Sequence, residues 1–191
     1  MEGQASPRRV IVGLTGASGA RLGIRMLQAL RSLEIESHLV VSKAAQTSIL
    51  KETDWALEAV RDLAAYTYEP DQIGAQIASG SFTTAGMAIV PCSIKTLSAV
   101  ANAYANDLIV RAADVTLKEG RPLILVVRET PLHVGHLRLM SLAAEAGAVI
   151  FPPVPPFYSG VQTLDEIVDQ IVGRVLLRMG IPNPLYRAWE G

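Results

Sequence analysis

Residues 9–20 read Arg-Val-Ile-Val-Gly-Leu-Thr-Gly-Ala-Ser-Gly-Ala, an aliphatic run that breaks into a turn almost free of side chains before a helical pattern begins. A continuous aliphatic run is the mark of a parallel strand buried on both faces. A turn of glycine and alanine after such a strand lets backbone N–H groups and the Ser18 hydroxyl approach an anion at the positive end of the next helix. The spacing matches neither Walker A nor the three-glycine dinucleotide fingerprint. Small residues here also serve close strand–helix packing, so the turn alone leaves both readings open.

The elements that must position this chemistry follow from periodicity. After the first strand, residues 21–33 place Leu22, Met26, Leu27 and Leu30 on one helical face, and 36–41 supply a second strand. Ser42 caps a helix running through about Glu52, and Thr53-Asp54 starts another capped turn. Residues 62–80 show no clear period. Further strands are expected at 87–90, 122–127 and 148–151, and helices at 94–103, 106–119, 133–146 and 164–179. Strands alternating with helices at this spacing imply parallel pairing through right-handed crossovers, hence a doubly wound three-layer α/β/α domain. One such domain is expected over residues 1–191, with 180–191 as a C-terminal tail.

In a sheet of this kind the ligand lies at the carboxyl ends of the strands. The residues found there are Thr15 to Ser18, Ser42-Lys43, Pro91-Cys92-Ser93-Ile94-Lys95-Thr96, Arg128-Glu129-Thr130-Pro131 and the proline-rich stretch ending in Phe157-Tyr158. Four of these five ends carry a serine or threonine hydroxyl, or a cation, suited to anionic oxygen. A serine before a helix is most often a plain N-cap. Several at one edge of one sheet suit a mononucleotide with a terminal phosphate, beside a second phosphorylated ligand.

Composition bounds the rest. Half of the 191 residues are apolar, 18% are charged and the formal net charge is −1. That balance offers no basic field for nucleic acid or an anionic membrane. No apolar stretch is long enough to span a bilayer, and a charge-poor chain of this size is expected to hide surface in a homo-oligomer. The lone Cys92 excludes an internal disulfide and suits a reducing cytoplasm. The histidines lack metal-ligand spacing, and no aspartate-rich pair is present to hold Mg²⁺ against a diphosphate.

The blocks at 15–20, 42–45 (Ser-Lys-Ala-Ala), 52–54 (Glu-Thr-Asp), 91–98 (Pro-Cys-Ser-Ile-Lys-Thr-Leu-Ser), 111–119 (Arg-Ala-Ala-Asp-Val-Thr-Leu-Lys-Glu), 128–133 (Arg-Glu-Thr-Pro-Leu-His) and 155–158 (Pro-Pro-Phe-Tyr) occur in one order over nearly the whole chain. Together the chain resembles the UbiX-type flavin prenyltransferases. The resemblance implies a Rossmann-like, flavodoxin-related fold and an enzyme that joins the dimethylallyl group of dimethylallyl monophosphate to N5 and C6 of reduced FMN, without metal. Prenylated FMN would then serve a UbiD-type decarboxylase, including that of ubiquinone synthesis. It also implies trimer-based oligomers, often dodecamers, with active sites at subunit contacts.

By the same resemblance, Gly16, Ala17, Ser18, Ser42, Ser93, Ile94, Lys95, Thr96 and Arg128 hold the flavin. Lys118, Arg128, Tyr158 and Arg174 hold the allylic phosphate, Trp189 folds over the site, and Glu52, Lys118 and Glu129 are catalytic positions. The chemistry agrees: breaking an allylic C–O bond loads negative charge on the departing phosphate, which pre-aimed cations and donors stabilise. Each residue also has a plainer reading. Lys118 suits a helix C-terminus, Arg128-Glu129 a surface pair, Arg174 an exposed helix face, Tyr158 packing and Cys92 the core. One departure stands out. Where many members of the family carry a tryptophan, this chain has the aliphatic and amide residues of 73–79. An FMN-dependent aromatic-acid decarboxylase and a non-catalytic flavin carrier remain alternatives.

Overall fold

The aliphatic runs pair side by side. In a computed structural model describing residues 8–188, β1 (Arg9–Leu14), β2 (Glu36–Val41), β3 (Tyr66–Tyr68), β4 (Met87–Cys92), β5 (Leu123–Val127) and β6 (Val149–Ile150) form one all-parallel sheet in the order β3-β2-β1-β4-β5-β6. Side chains of β1 alternate between two cores. Val10, Val12 and Leu14 join α1 (Ala20–Ser32), α2 (Lys43–Glu52), α3 (Leu57–Arg61) and α7 (Leu164–Arg178) on one face. Ile11 faces α4 (Ile94–Ala101), α5 (Leu108–Lys118) and α6 (Val134–Glu145) on the other. This is the three-layer doubly wound arrangement expected from the sequence.

The chain leaves β1 toward one face and β4 toward the other, which opens a crevice at the carboxyl ends of these two neighbours. Gly23 lets α1 lie close to that junction: a Cβ there would meet the Val90 carbonyl at 2.6 Å and Leu14 Cγ at 2.7 Å.

Several boundaries and one strand depart from expectation; β4 runs on to Cys92 rather than ending at Val90, and β6 is only Val149–Ile150. Helix α5 starts at Leu108 rather than 106, because the Asp107 carboxylate caps it by accepting the Val110 N–H at 2.9 Å. Helix α4 stops at Ala101, after which Ala103 turns to a positive φ. The aperiodic 62–80 stretch contains β3 and a one-turn 3-10 helix, Gln76–Ala78. Three residues with two exposed are too few to display a period.

A polar network around the buried His38 ties this edge down. His38 Nε2 lies 2.9 Å from Glu36, which also accepts Arg9 Nε at 2.8 Å, and His38 Nδ1 lies 2.9 Å from the Tyr68 hydroxyl. Gln76 Nε2 donates to that hydroxyl at 2.7 Å. The donors balance with a neutral imidazole: Nε2–H donates to Glu36 and Nδ1 accepts Tyr68 O–H. Burial lowers the His38 pKa and outweighs the opposing pull of Glu36.

Candidate active site

Four chain segments are stitched across the carboxyl edge. Ser42 N–H donates to Leu14 O at 3.0 Å, the Thr15 hydroxyl donates to Pro91 O at 2.7 Å and accepts Ser93 N–H at 2.8 Å, and Arg128 N–H donates to Cys92 O at 3.1 Å. Sequence reasoning noted Thr15 only as part of a motif. Its signal was a hydroxyl at the last position before the glycine turn, where an aliphatic residue would suffice for packing.

Ser42 and Ser93 are both N-caps, accepting Ala45 N–H at 3.1 Å and Thr96 N–H at 3.3 Å. Capping leaves the first N–H groups of α2 and α4 without intrahelical acceptors, and both helix mouths open on this edge. Gly16 lies against the first turn of α2 so closely that any side chain there would run into Ala44. Hydroxyls, helix-terminal N–H groups and the exposed Arg128 make a donor set that fits an acceptor-rich, anionic ring compound such as FMN.

The mouth of α1 is different. Glu52, at the end of α2, accepts Gly19 N–H at 2.8 Å and Ala20 N–H at 3.0 Å through one oxygen. The anion at this helix terminus is therefore the protein's own carboxylate. Burial by itself raises the Glu52 pKa, yet the Gly19 and Ala20 N–H groups, the Ser18 hydroxyl and the Arg128 charge outweigh it and hold it below its ordinary value. Glu129 is exposed and its Oε1 accepts the Thr130 N–H at 3.0 Å.

Two of the expected phosphate ligands, Lys118 and Arg174, do not share this edge. Lys118 ends α5 beside the start of β5, at the amino edge, about 16 Å away by the rise of a five-residue strand. There it pairs with Glu119 next to Gly80, while Arg121 donates to Gly80 O at 2.7 Å and Phe82 O at 2.8 Å. Arg174 projects from the outside of α7, 5.1 Å over the Tyr186 ring and 3.2 Å from its hydroxyl. Tyr158 lies in a 3-10 turn, Phe157–Ser159, beyond β6, and Trp189 lies outside the described residues. A single rim within one chain does not hold them all, because α5 runs antiparallel to the strands and delivers its last residue to their beginnings.

Other polar candidates have structural duties. Cys92 is fully buried and its thiol is pushed up to about 12, so it is no nucleophile. His133 caps α6 by accepting the Gly135 N–H at 3.0 Å, and its ring centre lies 3.7 Å from that of His136 with the planes tilted by 36°. Among the described residues no three His, Cys, Asp or Glu side chains gather to hold a metal, and no helix is long and apolar enough to cross a membrane.

Similarity to known proteins decides between readings. The family described as Flavoprotein matches residues 1–176. The chain is 55% identical over 187 residues to the flavin prenyltransferase UbiX of Escherichia coli K12, covering 96% of this chain and 99% of that one. The chain belongs to the UbiX-type flavin prenyltransferase family. Among solved members of the family, AnUbiX in complex with FMN and dimethylallyl pyrophosphate superposes with a TM-score of 0.95 at 49% identity, covering 97% of this chain and 98% of that one. A dodecameric FMN-dependent UbiX-like decarboxylase from Escherichia coli O157:H7 superposes at 0.93 with 47% identity, covering 96% and 100%.

Proposed function

We propose that this protein is a flavin prenyltransferase that transfers the dimethylallyl group of dimethylallyl monophosphate to N5 and C6 of reduced FMN, releasing phosphate and giving prenylated FMN. The observation that carries the reading is the stitched carboxyl edge, where Ser42, Ser93 and Arg128 stand together with two open helix mouths. Reduced FMN, when bound, supplies the nucleophile. The chain's residues then have to orient two ligands, exclude water and handle charge and protons.

In this proposal Gly16, Ala17, Ser18, Ser42 and the Ser93-Ile94-Lys95-Thr96 turn hold the flavin, and Arg128 borders both flavin and allylic phosphate. Lys118, Tyr158 and Arg174 clamp the phosphate and stabilise the negative charge that develops as the C–O bond breaks; each lost donor slows the step on the order of a hundredfold. Because Lys118 and Arg174 are remote from Arg128 within one chain, neighbouring copies complete the site in a trimer-based or dodecameric homo-oligomer. Trp189 covers it. Glu129 moves the proton at ring closure: one N–H engages its carboxylate, against two for the more firmly held Glu52. All 191 residues form one catalytic domain with 180–191 as tail, acting in the cytoplasm and handing its product to a UbiD-type decarboxylase.

The test is mass spectrometry of flavin extracted after anaerobic mixing of the purified protein with reduced FMN and dimethylallyl monophosphate, without added metal. A five-carbon adduct is the expected product. Recovery of unmodified FMN alone, with or without CO₂ release from an aromatic acid, overturns the reading in favour of a carrier or a decarboxylase.

A further inference from the structure

Thr15 is 2% exposed, just past the end of β1. The ladder between β1 and β4 extends only from Ile11 opposite Met87 to Gly13 opposite Ile89. Beyond it the two chains part toward helices on opposite faces. At that divergence the Thr15 side chain takes over from the backbone: its hydroxyl donates to Pro91 O at 2.7 Å and accepts Ser93 N–H at 2.8 Å, while its own N–H reaches Pro91 O at 3.3 Å.

What hangs on this bridge is the turn at 93–96. Ser93 caps α4, its hydroxyl accepting Thr96 N–H at 3.3 Å and lying 3.2 Å from Thr96 Oγ1. The intervening Cys92 carbonyl accepts Arg128 N–H, so the same short stretch also sets the start of the Arg128 loop. A hydroxyl is the one small group that both donates and accepts at this point. An isosteric valine would leave Pro91 O short of a donor and the Ser93 N–H without an acceptor, and a buried N–H recovers a partner only by moving.

We infer that Thr15 is a positioning residue for the flavin: closed off from any ligand itself, it fixes the Ser93 to Thr96 turn and the root of Arg128, and thereby sets affinity for FMN. This rests on the flavin-binding reading above, and FMN binding by the unaltered protein tests that reading separately.

The experiment compares Thr15→Ser, Thr15→Val and Thr15→Cys by quenching of FMN fluorescence and by steady-state kinetics in reduced FMN. A thiol is close in size to a hydroxyl but a weak hydrogen-bonding partner. Val and Cys are expected to weaken FMN binding about tenfold or more, the scale of one buried hydrogen bond lost with its partner stranded. Ser is expected to stay within about threefold of the parent. The loss should appear in KM for reduced FMN, with kcat at saturation largely kept; a merely structural defect would lower the active fraction and hence kcat. Should Thr15→Val fail to fold, the Ser and Cys pair decides the matter. Wild-type FMN affinity in the Cys or Val protein, or a Ser protein as weak as either, overturns the inference. Absence of FMN binding by the parent overturns the flavin reading, and this inference with it.

Discussion

Glu52 holds the Gly19 N–H at 2.8 Å, so the last residue of α2 caps the first turn of α1. The bond joins the glycine turn after β1 to the second helix of the fold and favours ionised Glu52. Replacing Glu52 by alanine removes an N-terminal cap and a negative charge at the positive helix end, a loss of about 1 kcal/mol. Chemical denaturation of Glu52→Ala should show that loss. Unchanged stability would mean that solvent caps α1 equally well.

Acid should weaken the protein in two ranges. His38 is buried with a lowered pKa, so the unfolded chain binds its proton more readily, and the stability present above the ordinary value of 6.5 declines as pH falls through and below it. Glu52 has a lowered carboxyl pKa, so its contribution is present above 4.5 and is lost as pH falls further. Urea midpoints measured from pH 8 to pH 3 should fall in both ranges. His38→Gln should flatten the upper one and Glu52→Gln the lower; curves parallel to the parent would contradict the assignments.

Gly80 makes room for the Lys118–Glu119 pair. A Cβ at position 80 would come 2.7 Å from Lys118 Nζ and closer still to the Glu119 carboxylate. Both are tips of flexible side chains, so Gly80→Ala should displace them with little change in thermal midpoint. Because Lys118 is proposed to bind the allylic phosphate, KM for dimethylallyl monophosphate should rise at least several-fold, on the scale of one charge-assisted contact. A fall in midpoint with an unchanged KM would leave Gly80 a structural position only.

Cys92, with its thiol near 12 and no exposed surface, should resist alkylation at neutral pH. Treatment of the folded protein with iodoacetamide should leave prenyl transfer intact, and mass spectrometry should find Cys92 unmodified. Rapid labelling with loss of activity would place the thiol in the site.

Most of the architecture was legible because its strands announce themselves. Residues 10–14 and 123–127 are uninterrupted aliphatic runs buried on both faces, and the serines at 42 and 93 cap the helices that follow them. β3 was not legible, since Tyr66 to Tyr68 owes its place to His38 and Gln76 on other segments rather than to its own pattern. The segments proposed to hold the flavin lie on one edge, as each follows a strand. The places of Lys118 and Arg174, proposed to bind phosphate, were not legible: both sit on helices, and periodicity does not say to which end of the sheet a helix delivers a given turn. Nor does a glycine turn reveal that a carboxylate 33 residues later already fills the helix mouth behind it.

The most direct test of a site shared between copies is subunit complementation. Lys118→Ala and Arg128→Ala proteins, each expected to be slowed about a hundredfold alone, would be co-refolded in equal amounts and assayed for the five-carbon flavin adduct. If one copy supplies Arg128 and its neighbour Lys118, about a quarter of the sites in a randomly mixed symmetric oligomer carry both, and activity should return to that order. Mixed oligomers as inactive as their parents would contradict the account.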